Sequence, residues 1–143
     1  MAKIANINAT PNTGWEFVNW TEEGNVVSTD AEFSFEVTKD THLVANFQKK
    51  TFLVTIGLSG SGNVSGDGSY LFGDEVTLIA TPDEHNKFVG WFIGEDLISD
   101  DKEFTFTIED NMNIIAVFEE IMYVLTLEAK PEEGGVVEGA GTY

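Results

Sequence analysis

The 143-residue chain has no cysteine and no arginine. Without cysteine there are no disulfides, no thiolate metal ligands and no cysteine nucleophile, so stability has to come from packing, from neighbouring repeats or from ions. Positive charge is scarce: seven lysines stand against 25 acidic residues, a net charge of −18. Such a surface repels phosphate backbones and argues against nucleic-acid binding. The same field opposes docking on anionic lipid and favours solubility and the attraction of cations or basic partners. No apolar run is long enough to span a bilayer, which argues against membrane insertion. No stretch of ten residues carries apolar positions at helical spacing. Met1-Ala2-Lys3-Ile4 leads straight into the patterned sequence, without a signal-peptide pattern. These absences do not add up to disorder, because the apolar content of 42% is ordinary for a folded chain.

What the chain does contain is one passage written twice. Ala9-Thr10-Pro11 returns as Ala80-Thr81-Pro82, and Phe17-Val18-Asn19-Trp20 returns as Phe88-Val89-Gly90-Trp91. Phe33-Ser34-Phe35 returns as Phe104-Thr105-Phe106, and Ala45-Asn46-Phe47 as Ala116-Val117-Phe118. The period is 71 residues, the spacing of Trp20 and Trp91, without a gap. A repeat of this kind sets the fold reading before any single motif does. It also acts as an internal control, because a residue type kept in both copies serves the shared fold and one present in a single copy is free for another use.

Period-two alternation dominates each copy, as in Val76, Leu78 and Ala80 or Phe104, Phe106 and Ile108. β-branched and aromatic residues at that spacing, bounded by Gly, Asn and Asp clusters, predict short half-buried strands. One whole unit is predicted over 51–120, with strands at 52–58, 63–65, 69–72, 75–80, 87–93, 104–108 and 113–119. Tyr123-Val124-Leu125-Thr126-Leu127 then restarts the pattern of Phe52-Leu53-Val54-Thr55-Ile56. The passage from Gly135 to Tyr143 echoes Gly62 to Tyr70 at an offset of 73, so Pro131-Glu132-Glu133-Gly134 carries a two-residue insertion. Residues 1–48 are therefore the back part of one unit, and 121–143 the front part of another. The two fragments are complementary, and pairing between them, within a chain or between chains, is the expectation that follows. The competing reading is a structural unit that begins at a different phase. The predicted fold class is all-β, with small antiparallel β-sheet modules in tandem; a β-grasp-like α+β arrangement with minimal helix is the alternative.

With these motifs assembled, the chain resembles the divergent internalin-type B-repeat, related to the Listeria–Bacteroides repeat of bacterial surface proteins. The resemblance rests on the order and spacing of several motifs across essentially the whole chain. They are the run from Gly62 to Tyr70, Gly73-Asp74-Glu75-Val76-Thr77-Leu78-Ile79-Ala80-Thr81-Pro82, Phe88-Val89-Gly90-Trp91, Phe104-Thr105-Phe106 and Ala116-Val117-Phe118. It implies a small β-rich module strung in tandem on secreted or wall-attached proteins, an extracellular location and no catalytic residues. The chain departs from the family pattern where a Gly-Tyr pair usually precedes the Phe-x-x-Trp segment: Asn86-Lys87 and Trp15-Glu16 stand there instead.

The internal control sorts the candidate site residues. Phe17, Trp20, Phe33, Phe35 and Phe47 recur as Phe88, Trp91, Phe104, Phe106 and Phe118, and are assigned to core packing, with each indole N–H finding a partner. Trp15 and Phe92 have no aromatic counterpart, which makes them the candidates for stacking on a carbohydrate ring. Asp30 and Glu32 recur as Asp101 and Glu103; with the crowded loop carboxylates they are candidate calcium ligands, although no D-x-D-x-D-G loop is present. His42 and His85 are non-equivalent and have no second His or Cys nearby, so they do not make a zinc site. No nucleophile elbow and no dinucleotide fingerprint appear. The function expected is a non-catalytic structural or adhesive spacer that contacts neighbouring repeat units and self-associates by strand addition. A carbohydrate- or calcium-binding module, with a protein or glycan ligand, is the alternative.

Overall fold

The computed structural model describes residues 3–143; Met1 and Ala2, which open the predicted 1–48 segment, lie outside the described residues. Fifteen strands follow one another among them: β1 (Ile4–Asn8), β2 (Trp15–Glu22), β3 (Asn25–Ser28), β4 (Glu32–Glu36), β5 (Val44–Lys49), β6 (Thr51–Ser59), β7 (Gly62–Ser65), β8 (Gly68–Leu71), β9 (Glu75–Pro82), β10 (Asn86–Ile93), β11 (Asp96–Ser99), β12 (Glu103–Thr107), β13 (Met112–Glu120), β14 (Val124–Leu125) and β15 (Gly141–Thr142). The only helical element among the described residues is a single 3-10 turn at Glu132–Gly134. The fold is all-β, and the α+β alternative has no helix to rest on.

Strand order is β3-β2-β5 and β1-β4 in the first repeat, and β11-β10-β13-β6-β8 and β12-β9-β7 in the second, with β14-β15 as a separate pair. Backbone proximity groups the chain into two compact units. One holds the residues up to Thr55 with Gly66–Thr77 and Thr105–Met112; the other holds Ile56–Ser65, Leu78–Phe104 and Asn113–Tyr143. In the first, β2 runs antiparallel to β5 from Trp15↔Lys49 to Thr21↔Val44, and β6 pairs with β8 from Thr51↔Leu71 to Val54↔Gly68. Val54, Val76 and Ile108 are fully buried there. In the second, β10 pairs with β13 and β7 with β9, and Leu78, Ala80, Trp91, Ile114, Ala116 and Phe118 are the buried apolar side chains.

The Phe-x-x-Trp motif has a backbone cause. In a regular strand, residues three apart face opposite sides of the sheet. Here the register slips between Phe17 and Asn19 opposite β5, and again between Phe88 and Gly90 opposite β13. An extra residue at a β-bulge turns the following side chain over, so both aromatics face inward. Their ring centroids lie 5.7 Å apart for Phe17–Trp20 and 5.0 Å for Phe88–Trp91.

The strands β3 and β11 were not expected from the sequence. Each closes a two-residue hairpin, with Glu22 opposite Asn25 and Ile93 opposite Asp96. Glu23 and Gly24 both take positive φ, at 50° and 84°, the requirement of a type I′ turn. Glutamate is a poor signal for that conformation, and Asp96-Leu97-Ile98-Ser99 is too short and too acidic at its border to stand out as a strand.

Candidate functional site

The acidic residues that recur do so next to the tryptophans. Trp20 Nε1–H donates to the Asp30 carbonyl at 3.1 Å, and Trp91 Nε1–H to the Asp101 carbonyl at 2.8 Å. The amides of the same two aspartates donate to Ser28 Oγ and Ser99 Oγ, at 3.1 and 3.2 Å. The main chain at these positions thus satisfies each indole where burial would otherwise strand it. The side chains of Asp30, Glu32, Asp101 and Glu103 belong to exposed residues. Among the described residues no three His, Asp or Glu groups converge in a way that could hold a metal ion.

Phe92 is half-buried, and its ring approaches the space above Gly90. A Cβ at Gly90 would lie 2.4 Å from Leu97 Cδ1 and 3.5 Å from Phe92 Cε2. In the first repeat the matching positions are Asn19, Val26 and Thr21, and Asn46 Nδ2 donates to Asn19 Oδ1 at 2.9 Å and to Thr21 Oγ1 at 3.1 Å. A polar cluster on one copy is thus an apolar one on the other. Phe92 lies beside Gly90 where the first repeat carries hydrogen-bonded amide and hydroxyl side chains.

Trp15 lies in different surroundings. With Thr10, Asn12 and Phe47 it lines a hollow of about 230 Å³, and Lys49 Nζ sits 5.9 Å from its ring centroid. Phe47 is 39% exposed, although its counterpart Phe118 is only 3% exposed. The difference follows from what lies beside them. β5 is the edge of its sheet, whereas β13 has β10 on one side and β6 on the other. At Phe118 the turn from β6 to β7 closes over the ring: a Cβ on Gly62 would lie 2.5 Å from Phe118 Cε1. The Asp83 amide, the counterpart of that of Asn12, donates to the Ser61 carbonyl in this turn at 3.2 Å.

The same contrast runs through the rest of the copy. Ile108 is fully buried and its counterpart Val37 is 40% exposed. Ile114, Ala116, Val76 and Leu78 are buried, while Leu43, Ala45, Ala5 and Ile7 are half-buried. Of the other recurring aromatics, Trp20 and Trp91 are buried, and Phe17, Phe33, Phe35, Phe88, Phe104 and Phe106 are half-buried. Phe33 and Phe35 stack at 5.4 Å and, with Val27 and Leu43, line a second hollow of about 210 Å³ in the first repeat. The candidate site is therefore the uncovered edge of the first repeat, from the Trp15–Phe47 hollow to the Phe33–Phe35 hollow.

No curated protein and no solved structure matches the chain. A family model does, described as the divergent InlB B-repeat domain; it matches twice, over residues 2–51 and 52–122. Repeats of this family are typical of bacterial surface proteins and are generally non-catalytic structural modules. The two matches cover the two copies set apart by the 71-residue period and take in most of the chain, and the chain belongs to the divergent InlB B-repeat family.

Proposed function

We propose that this chain is a non-catalytic spacer and adhesive segment of a bacterial cell-surface or secreted protein, working through contacts between repeat units. The observation that carries this reading is the joint between the copies. A single residue, Lys50, separates β5 from β6. Its amide donates to the Gly14 carbonyl at 2.9 Å, and its carbonyl accepts from the Phe72 amide at 2.9 Å. The Phe72 ring fills the space where a Cβ on Gly14 would be, 2.3 Å from Phe72 Cγ. One period later the Ile121 amide donates to the His85 carbonyl at 2.8 Å, and His85 keeps the positive φ of Gly14. Main-chain hydrogen bonds across the joint leave no free linker. That is the property expected of a spacer that must hold neighbouring modules in register.

The carbohydrate alternative has one observation in its favour, the aromatic wall of Trp15 and Phe47 in an open hollow. Calorimetric titration of the chain with wall and host glycans, with and without calcium, separates the two readings. The spacer reading expects no saturable heat in any titration. A saturable heat that disappears in Trp15→Ala would replace it with a ligand-binding function.

A further inference from the structure

We propose that the outer face of the β11-β10-β13 strands, around Phe92, binds a polypeptide segment in which apolar side chains alternate with lysine or arginine. The proposal rests on the reading of the chain as an adhesive segment and names the chemistry of its partner.

Trp91, Ala116 and Phe118 are buried on the inner side of these strands, so Phe92, Ile115 and Val117 point the other way. Phe92 stands opposite Leu97 on one side and Ile115 on the other, and Gly90 stands opposite Val117. Leu97 Cδ1 lies over Gly90, where an added Cβ would come within 2.4 Å of it. On the β6 side Gly57 offers no side chain, and even a Cβ there would reach Ile115 Cγ1 only at 3.8 Å. Leu97 is 54% exposed and Ile115 39%.

An antiparallel sheet with one packed face normally turns polar residues outward. The first repeat does so at Asn19, Thr21 and Asn46, which the two Asn46 Nδ2 hydrogen bonds join. The fold therefore accepts a polar outer face, and the second copy carries Gly90, Phe92 and Val117 in its place. A contiguous apolar patch rimmed by polar groups marks a contact surface. A following copy leaves this face open: Val26 and Val44, at the places of Leu97 and Ile115, are 58% and 42% exposed.

Charge selects the occupant. Glu95 and Asp96 stand in the turn beside Leu97, Asp100 follows β11, and Glu119 follows Val117 on the same side of β13. All four are exposed, and Lys87, 4.0 Å from Glu119, is the one cation among these positions. A second copy would bring a further net charge of −18 against this rim, and anionic lipid would be repelled in the same way. A sugar ring would find no hydrogen-bonding side chain at Gly90, Phe92, Leu97, Ile115 or Val117. A segment that lays apolar groups on Phe92 and Ile115 and sets cations against the carboxylates satisfies both parts, and the charges steer its approach.

Fluorescence anisotropy of a short labelled peptide alternating lysine with leucine tests this on the full chain. Two control peptides carry serine in place of leucine, or glutamate in place of lysine. The lysine–leucine peptide should bind saturably, about tenfold or more tighter than either control, and more weakly as salt screens the rim. Phe92→Thr combined with Val117→Asn gives the face the side chains that the fold already carries at Thr21 and Asn46. That pair should weaken binding by about tenfold or more. On the unaltered chain, residue-resolved NMR shifts on peptide addition should centre on Phe92, Leu97 and Ile115. Equal binding of the serine peptide, an unchanged affinity in the double variant, or shifts spread over the acidic loops would reduce the contact to charge alone and overturn the proposal. Shifts at the same residues when only the concentration of the chain is raised would give the face to a second copy, with the same consequence. None of these results touches the spacer reading, which the glycan titrations test.

Discussion

Replacing Trp91 by alanine is expected to remove most of the stability of the second repeat, while Trp20→Ala costs distinctly less. Trp91 is fully buried, donates its indole N–H to the Asp101 carbonyl, and meets the Phe88 ring at 5.0 Å. Truncating a buried tryptophan costs about 3–5 kcal/mol through lost burial and the cavity left behind. It also leaves the Asp101 carbonyl without the indole as donor. A module of roughly 70 residues has only a few kcal/mol of stability to lose, so β10 and β13 should unfold with it. Trp20 makes the same hydrogen bond and the same aromatic pair, but it is 9% exposed and lies in a copy whose edge strand β5 is uncovered. Water already reaches part of that core, and the cavity there opens to solvent instead of remaining empty. Urea denaturation followed by the fluorescence of the remaining tryptophans measures both losses. Equal losses would mean that the two cores are equally closed.

Gly60→Ala is expected to be the most damaging of the glycine changes in the second repeat. Gly60 takes a φ of +91°, and holding a non-glycine residue in such a region costs about 1–3 kcal/mol. An added Cβ would also lie 2.1 Å from the Phe118 carbonyl oxygen. That is backbone, which a side-chain rotation cannot move aside. Gly73→Ala is the matched control. Its φ is +83°, but no atom lies within 4 Å of the new Cβ. The difference between the two variants isolates the cost of pushing the β6–β7 turn away from β13. If both lose the same amount, the turn does not press on Phe118, and Phe47 owes its exposure to something else.

Much of the fold was legible because both copies obey the same constraint. Alternation placed Val76, Leu78 and Ala80 on one face of a strand, and the recurrence of Phe17–Trp20 as Phe88–Trp91 marked the shared aromatic core. The bulge that lets residues three apart share a face was not legible. It is a property of register between strands, and spacing along one strand does not carry it. β3 and β11 were missed because Glu23-Gly24 and Gly94-Glu95 are weak turn signals and the strands that follow are only four residues long. The recurring aspartates read as ligand candidates because sequence shows a side chain, whereas Asp30 and Asp101 meet the indoles through main-chain carbonyls. Phe92 stood out as an unmatched aromatic because the sequence does not show that it lies beside Gly90. The uncovered edge was legible only as a phase of the repeat. Its physical form, an exposed Phe47 facing no turn, needed coordinates.

One fold is written twice, and only in the second copy is the last strand of the repeat, β13, flanked on both sides, whereas β5 is an edge. Amide hydrogen exchange, resolved by residue in dilute solution, tests it at β5 and β13. Edge strands hydrogen-bond their neighbours with alternate amides only. Within Val44–Lys49 alternate amides should therefore exchange rapidly, while those of Met112–Glu120 are protected along both sides of the strand. Continuous protection along both strands at the lowest concentration would contradict the claim, because it would show the first repeat to be covered already.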